Sequence, residues 1–143
     1  MLSGQVFNMN TRREAFDKSE RLCSTRIISG LFENGNIFHT SLFKIVWSNS
    51  PLILPFPAQT AFSVPKKGFR LAVTRNLIKR RMREAYRKNK YLLYESLASQ
   101  NKQIVLIVIM KGTSVPDYSS IEKSIKEMLD KLIILTNLKE KIC

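Results

Sequence analysis

Eleven of the 25 residues from Lys66 to Lys90 are lysine or arginine, and one acid, Glu84, opposes them. The whole chain carries +13, so the other 118 residues, at +3, are close to balanced. Cations gathered this way repel one another, and a helix that holds them calls for a polyanion to neutralise them. At helical spacing Asn76, Lys79, Arg80, Arg83, Arg87 and Lys90 share one sector. Ile78, Met82, Ala85 and Leu93 form an apolar stripe on another face, with Tyr86 on its shoulder. Lys66, Lys67, Arg70 and Arg75 carry the charge back into the approach to the helix. Guanidinium groups fork onto phosphates and stack on bases, while Asn reads a base edge or a ribose hydroxyl, a mixture suited to RNA. A merely solvated helix would interleave Glu with Lys four residues apart. This one does not.

Other catalytic chemistry is poorly supplied. His39 is the single histidine and has no carboxylate near it in sequence to orient it, so it reads as a surface residue. No carboxylate pair stands at a spacing suited to Mg²⁺; Asp17 and Glu20 read as a helix cap. The two cysteines, Cys23 and Cys143, build neither a metal site nor a disulfide framework. Cys23 is expected to pack against a sheet as a small apolar residue.

The elements that must position the cations follow from periodicity. A chain of 143 residues with 44% hydrophobic and 24% charged content suits one globular domain. We expect a loose leader over residues 1–15, one domain over 16–136 and a frayed tail over 137–143. A first helix should start at Asp17, carry Leu22, Ile27, Ile28, Leu31 and Phe32 at helical spacing, and stop at a left-handed turn at Asn34-Gly35. Residues 37–48 read as a long strand with Phe43, Ile45 and Trp47 on one side and Leu42, Lys44 and Val46 on the other. A proline-rich connection, oddly apolar at Leu52 to Leu54, leads to a strand over 59–64. Beyond the basic helix, the unbroken apolar run of residues 104–110 fits a central strand covered on both faces. Asp117 should cap a last helix with Ile121, Ile125, Met128, Leu129 and Leu132 inward. The opening residues lack the pattern of a signal peptide and the longest apolar run is too short to cross a bilayer, so a soluble, cytoplasmic protein without membrane association is expected.

In this order of elements, the basic segment closely resembles the signature of the bacterial ribonuclease P protein subunit. The matching residues are Ser63-Val64, Lys66-Lys67, Ala72-Val73, Arg75-Asn76, Lys79-Arg80, Arg83-Glu84 and Arg87. Phe16, Lys18, Arg21-Leu22, Leu31-Phe32, Gly35 and Phe43 extend the resemblance, which covers roughly residues 14–135. Leu77 stands where the family motif has a second arginine, and Pro65 where it usually has serine.

The resemblance implies an α+β fold of order α-β-β-β-α-β-α. This is a two-layer sandwich on a single mixed sheet with a left-handed β-α-β crossover, like the second domain of ribosomal protein S5. It further implies a protein without catalytic residues that serves a ribozyme removing the 5′ leader of precursor tRNA. The partners would be ribonuclease P RNA, one protein per RNA, and precursor tRNA, with Mg²⁺ held mainly by the RNA. The RNA-binding residues would be Lys66, Lys67, Arg70, Arg75, Asn76, Lys79, Arg80, Arg83, Arg87 and Lys90. A leader cleft between the first helix and the sheet would draw on Lys18, Arg21, Phe32, Lys44 and Val46, with core packing an open alternative for Phe32. A ribosomal-type binding module shares the composition but not the motif spacing. A membrane-surface helix would need a broader apolar face, and a self-sufficient nuclease would need the missing acid–base groups.

Overall fold

The computed structural model describes the backbone from Glu14 to Ile142 and side chains through Asn137. The expected leader up to residue 13, the side chains of residues 138–142 and Cys143 lie outside the described residues. A 3₁₀ turn, Lys18–Glu20, precedes α1 (Thr25–Asn34), β1 (Asn36–His39), β2 (Phe43–Asn49) and β3 (Ala58–Ser63). Two helices follow, α2 (Ala72–Asn89) and α3 (Tyr91–Ser99), then β4 (Ile104–Met110) and α4 (Tyr118–Ile142).

The four strands form one mixed sheet in the order β1-β2-β4-β3. β4 runs antiparallel to β2 and parallel to β3, so α2 and α3 together make the crossover between the parallel pair. Its apolar run is central, as the sequence suggests, because both of its ladder edges and both faces are covered. On one face Phe43, Ile45, Trp47, Leu106 and Val108 meet Ile78, Met82, Tyr86, Leu93 and Leu97 of the crossover and the inward stripe of α4. On the other face α1 seals a smaller cluster, in which Leu31 joins Val46, Val105, Ile107, Leu22 and Leu54. The layers are unequal: three helices cover one face and a single helix part of the other.

Several boundaries differ from the sequence reading. The expected first helix is two elements. Glu20 accepts the Asp17 N–H at 2.9 Å, which closes only the 3₁₀ turn. The chain then straightens, and Arg21 bridges to Thr60 in parallel, with the Leu22 N–H donating to the Thr60 carbonyl at 3.0 Å. Ser24 caps α1 proper, its hydroxyl accepting the Ile27 N–H at 3.3 Å. Cys23 therefore lies in an extended segment ahead of the helix and is exposed, not packed on the sheet.

Gly35 ends α1 in an extended conformation, with φ −71° and ψ 159°, rather than a left-handed one. Its glycine is needed for proximity: a Cβ there would stand 2.6 Å from both the Leu31 carbonyl oxygen and a Val46 methyl. The expected long strand over 37–48 is a hairpin. Thr40 turns out of the ladder so that its hydroxyl meets Ser124 of α4 at 2.7 Å, and its N–H donates to the Phe43 carbonyl. The basic helix also ends sooner than its charge does, breaking at Lys90 before α3 begins.

The apolar connection acquires a role. Leu54 turns into the smaller cluster, held by Gln103, which accepts the Leu54 N–H at 2.8 Å and donates to its carbonyl at 2.6 Å. Leu52 and Ile53 remain exposed. With α1, Leu52 flanks an open groove of about 590 Å³ that Arg26 and Ile27 also line.

Candidate nucleic-acid interface

α2 lays its apolar stripe of Ile78, Met82, Ala85 and Tyr86 in the core, as the spacing predicts. Its opposite face carries the cations outward. The approach loop is fixed in place by Phe69, which is buried, and by Gly68, where a Cβ would collide with the Gly112 carbonyl oxygen. No side chain of the residue preceding α2 caps the helix. Arg75 instead curls back, its Nη1 donating to the Phe69 carbonyl at 2.9 Å and the Arg70 carbonyl at 2.8 Å. Arg75 thus braces the loop that holds Lys66, Lys67 and Arg70 exposed.

The ten cations and amides expected to face RNA are consequently divided. Lys66, Lys67, Arg70, Asn76 and Arg80 are exposed, and Lys79 and Arg83 are partly so. Arg87 is tied down. It grips Glu84 through Nε at 3.1 Å and Nη2 at 2.8 Å, and donates to the Glu14 carbonyl at 2.7 Å. The hydrogen bonds and charge of Arg87 hold the Glu84 carboxyl below its usual value, while Glu84 raises Arg87 in turn. Arg81, which the wheel places off the basic sector, donates to the Pro116 carbonyl at 2.8 Å and anchors the approach to α4.

Lys90 does not belong to the exposed sector. It is 1% exposed, and its ammonium pairs with the Glu20 carboxylate and donates to the Ala15 carbonyl. Tyr94 donates to the same carboxylate at 2.7 Å, and the Thr60 hydroxyl donates to Tyr86 at 2.9 Å. A buried charge needs such a partner. The group joins the N-terminal segment to β3, α2 and α3. It also draws in Ala15, as Arg87 draws in Glu14, two residues that the sequence reading leaves in the loose leader. Lys90 lies four residues on from Tyr86, about 40° round the helix, a weak signal that Lys79, nearer still to Tyr86 on the wheel yet partly exposed, shares. Glu20 gave no such signal, because its partner is 70 residues away in sequence.

Burial first, then repulsion from Arg21 and Arg80, lowers the pKa of Arg83. Arg21 reaches this neighbourhood from the N-terminal segment, its guanidinium 5.7 Å from the Phe16 ring centroid. Phe16 in turn stacks edge-on to Tyr86 at 5.6 Å and to Phe62 at 5.9 Å.

The five expected cleft residues do not gather at one place. Lys18 and Arg21 lie on the segment beside β3, while Lys44 and Val46 are on β2, with β4 and β3 between. Lys44 is partly exposed, in a cross-sheet row with His39, Ile109 and Ser63. Val46 is 1% exposed beneath α1 and offers no open surface. Phe32 is 57% exposed, which removes the core alternative for it. Among the described residues no group of three or more His, Cys, Asp or Glu side chains comes together to hold a metal ion.

Comparison with known proteins places this geometry. The family model for ribonuclease P matches residues 16–133. The ribonuclease P protein component of Porphyromonas gingivalis is 31% identical over 115 residues, 80% of this chain and 84% of that protein. Its counterpart from Chlorobium phaeobacteroides is 28% identical over 142 residues, 92% and 93% of the two chains. In fold, the chain is similar to the RNase P protein of Staphylococcus aureus, with a TM-score of 0.62 and 24% identity over 79% of this chain and 94% of that one. The Thermotoga maritima RNase P protein gives 0.63 with 20% identity, over 78% and 96%.

Proposed function

Because this chain belongs to the ribonuclease P protein family, and is thereby a component of tRNA processing with ribonuclease P RNA as its partner, we propose that it seats the outer face of α2 on that RNA and helps it remove the 5′ leader of precursor tRNA. The observation that carries this reading is the open cationic surface of the approach loop and α2. Lys66, Lys67, Arg70, Lys79, Arg80 and Arg83 stand there without an acidic partner among the described residues. Such a surface neutralises phosphates and releases their counterions, so binding should weaken steeply with salt. Asn76, exposed within it, supplies an amide able to read a base edge or a 2′-hydroxyl.

Cleavage in this reading is performed by the RNA subunit, with Mg²⁺ resting on RNA phosphates, in a cytoplasmic particle holding one protein per RNA. The protein orients the RNA and contributes no acid, base or nucleophile. Its contacts to the leader run over the sheet face left open beside α1, where Phe32 offers a ring for base stacking and Lys44 a charge for the backbone. The test is reconstitution: purified protein, a ribonuclease P RNA and precursor tRNA at low Mg²⁺. Cleavage at the mature 5′ end that needs both components supports the reading. Cleavage unchanged by the protein at every Mg²⁺ concentration sinks it.

A further inference from the structure

The side of α1 turned away from the sheet carries two opposite charges that the fold leaves unused. Arg26 and Glu33 are both exposed, and neither has a salt-bridge partner among the described residues. They stand seven residues apart on one side of α1, about two turns or 10.5 Å along the helix. Between them is Gly30, in a helix interior where glycine is unfavourable relative to alanine. A Cβ there would meet nothing within 4 Å, so packing within the chain does not call for glycine.

An apolar surface adjoins this strip. Arg26, Ile27, Gly30 and Leu31 make the α1 wall of the open groove, and Pro51 and Leu52 stand on its other side. Leu52 is 60% exposed, and Ile53 beside it 75%. Consecutive aliphatic side chains left largely in water next to an apolar groove mark a contact surface.

We propose that a second copy of this chain docks on that surface, the two α1 helices crossing antiparallel about a two-fold axis between Ser29 and Gly30. The charge pattern is its own complement in that arrangement. Arg26 of each copy meets Glu33 of the other, so one sequence supplies both ion pairs. An RNA strand or an acidic protein would suit Arg26 and be repelled by Glu33. The same axis brings both 50–53 loops to one flank of the helix pair, where Leu52 and Ile53 leave water against the other copy. A helix of 10 residues is about 15 Å long, too short alone for the roughly 1,000 Å² that a specific interface needs, and the loops supply the remainder. The chain's positive charge opposes this docking only weakly. Its cations are concentrated on α2, across the sheet from α1, and the Debye length at physiological salt is about 8 Å. Phe32 lies about 160° round α1 from Gly30, so it and the outer face of α2 both stay open in the dimer.

Sedimentation velocity of the full chain at physiological salt, over a micromolar to sub-millimolar series, should show a monomer–dimer equilibrium. Arg26→Glu and Glu33→Arg should each weaken it roughly tenfold or more, because either reversal sets like charges at both contacts. An equimolar mixture of the two variants should recover association, since every contact between them again joins opposite charges. Leu52→Ser combined with Ile53→Ser should also weaken it, with the melting temperature of the dilute protein little changed because both side chains are exposed. A chain that stays monomeric across the series would overturn the proposal. So would a mixture that associates no more than its two components do alone.

Discussion

At the scale of single residues, Arg80 and Arg83 concentrate the electrostatic consequence of the fold, since neither has an acidic partner among the described residues. Changing both to alanine should weaken binding to the RNA subunit and reduce the log–log salt dependence by roughly one to two units. Filter-binding titrations across a salt series measure this, and an unchanged slope in a folded double variant would remove α2 from the interface. Tyr86 makes a prediction about pH. Burial, the largest influence, raises its hydroxyl to about 12 from the ordinary 10.0, against the lowering by hydrogen bonds from Thr60 and Tyr94. The folded chain therefore keeps a proton that the unfolded chain has released. Its contribution to stability is complete below pH 10.0 and is lost as pH rises toward about 12. Tyr86→Phe should make the alkaline fall in stability shallower across that window, read by urea unfolding at a series of pH values. Tyr94, raised in the same direction by burial, keeps part of the slope in place.

At the scale of elements, the junction of α2 and α3 is where the basic run changes purpose. Lys90 closes α2 and precedes α3, and its charge is spent inward on Glu20. Glu20→Ala should destabilise the protein by about 3–5 kcal/mol, because it leaves Lys90 buried without its partner. Glu20→Leu combined with Lys90→Met should recover much of that loss, since an apolar pair leaves no charge buried. Chemical denaturation of both variants decides it; an equal loss in the two would deny that the pair matters as a pair. α1 offers a contrasting case. Phe32 is exposed, so Phe32→Ala should move the melting temperature little, as surface substitutions do. It should nonetheless weaken holoenzyme binding to precursor tRNA several-fold while sparing mature tRNA, because base stacking is worth about 1–3 kcal/mol. Equal losses for the two RNAs would place the leader elsewhere.

At the scale of the whole molecule, the reading that cleavage belongs to the RNA subunit makes a prediction about the single histidine. His39 is exposed, its ring nitrogen 3.5 Å from the Lys111 ammonium. His39→Ala should leave holoenzyme turnover unchanged, and RNA-free protein should cleave no precursor under nuclease-controlled conditions. A loss of turnover in the variant at unchanged RNA affinity would return His39 to consideration as a catalyst.

The same molecule shows how far one chain of letters reaches. The helical stripe of Ile78, Met82 and Ala85, the two-sided burial of β4, the Asp117 cap of α4 and the family motif are all local patterns. Period, apolarity and spacing are properties of neighbouring residues, and a neighbouring residue is what a sequence displays. What the sequence could not decide was which cations remain free. Lys90 and Arg80 are the same kind of residue on the same run, yet one is buried against Glu20 and the other faces solvent. The break after the 3₁₀ turn, the retreat of Val46 under α1 and the arrival of Arg21 beside Arg83 are likewise meetings of distant segments. Charge and burial at such points depend on what the folded chain brings within a few ångströms, and only the tertiary structure sets that distance.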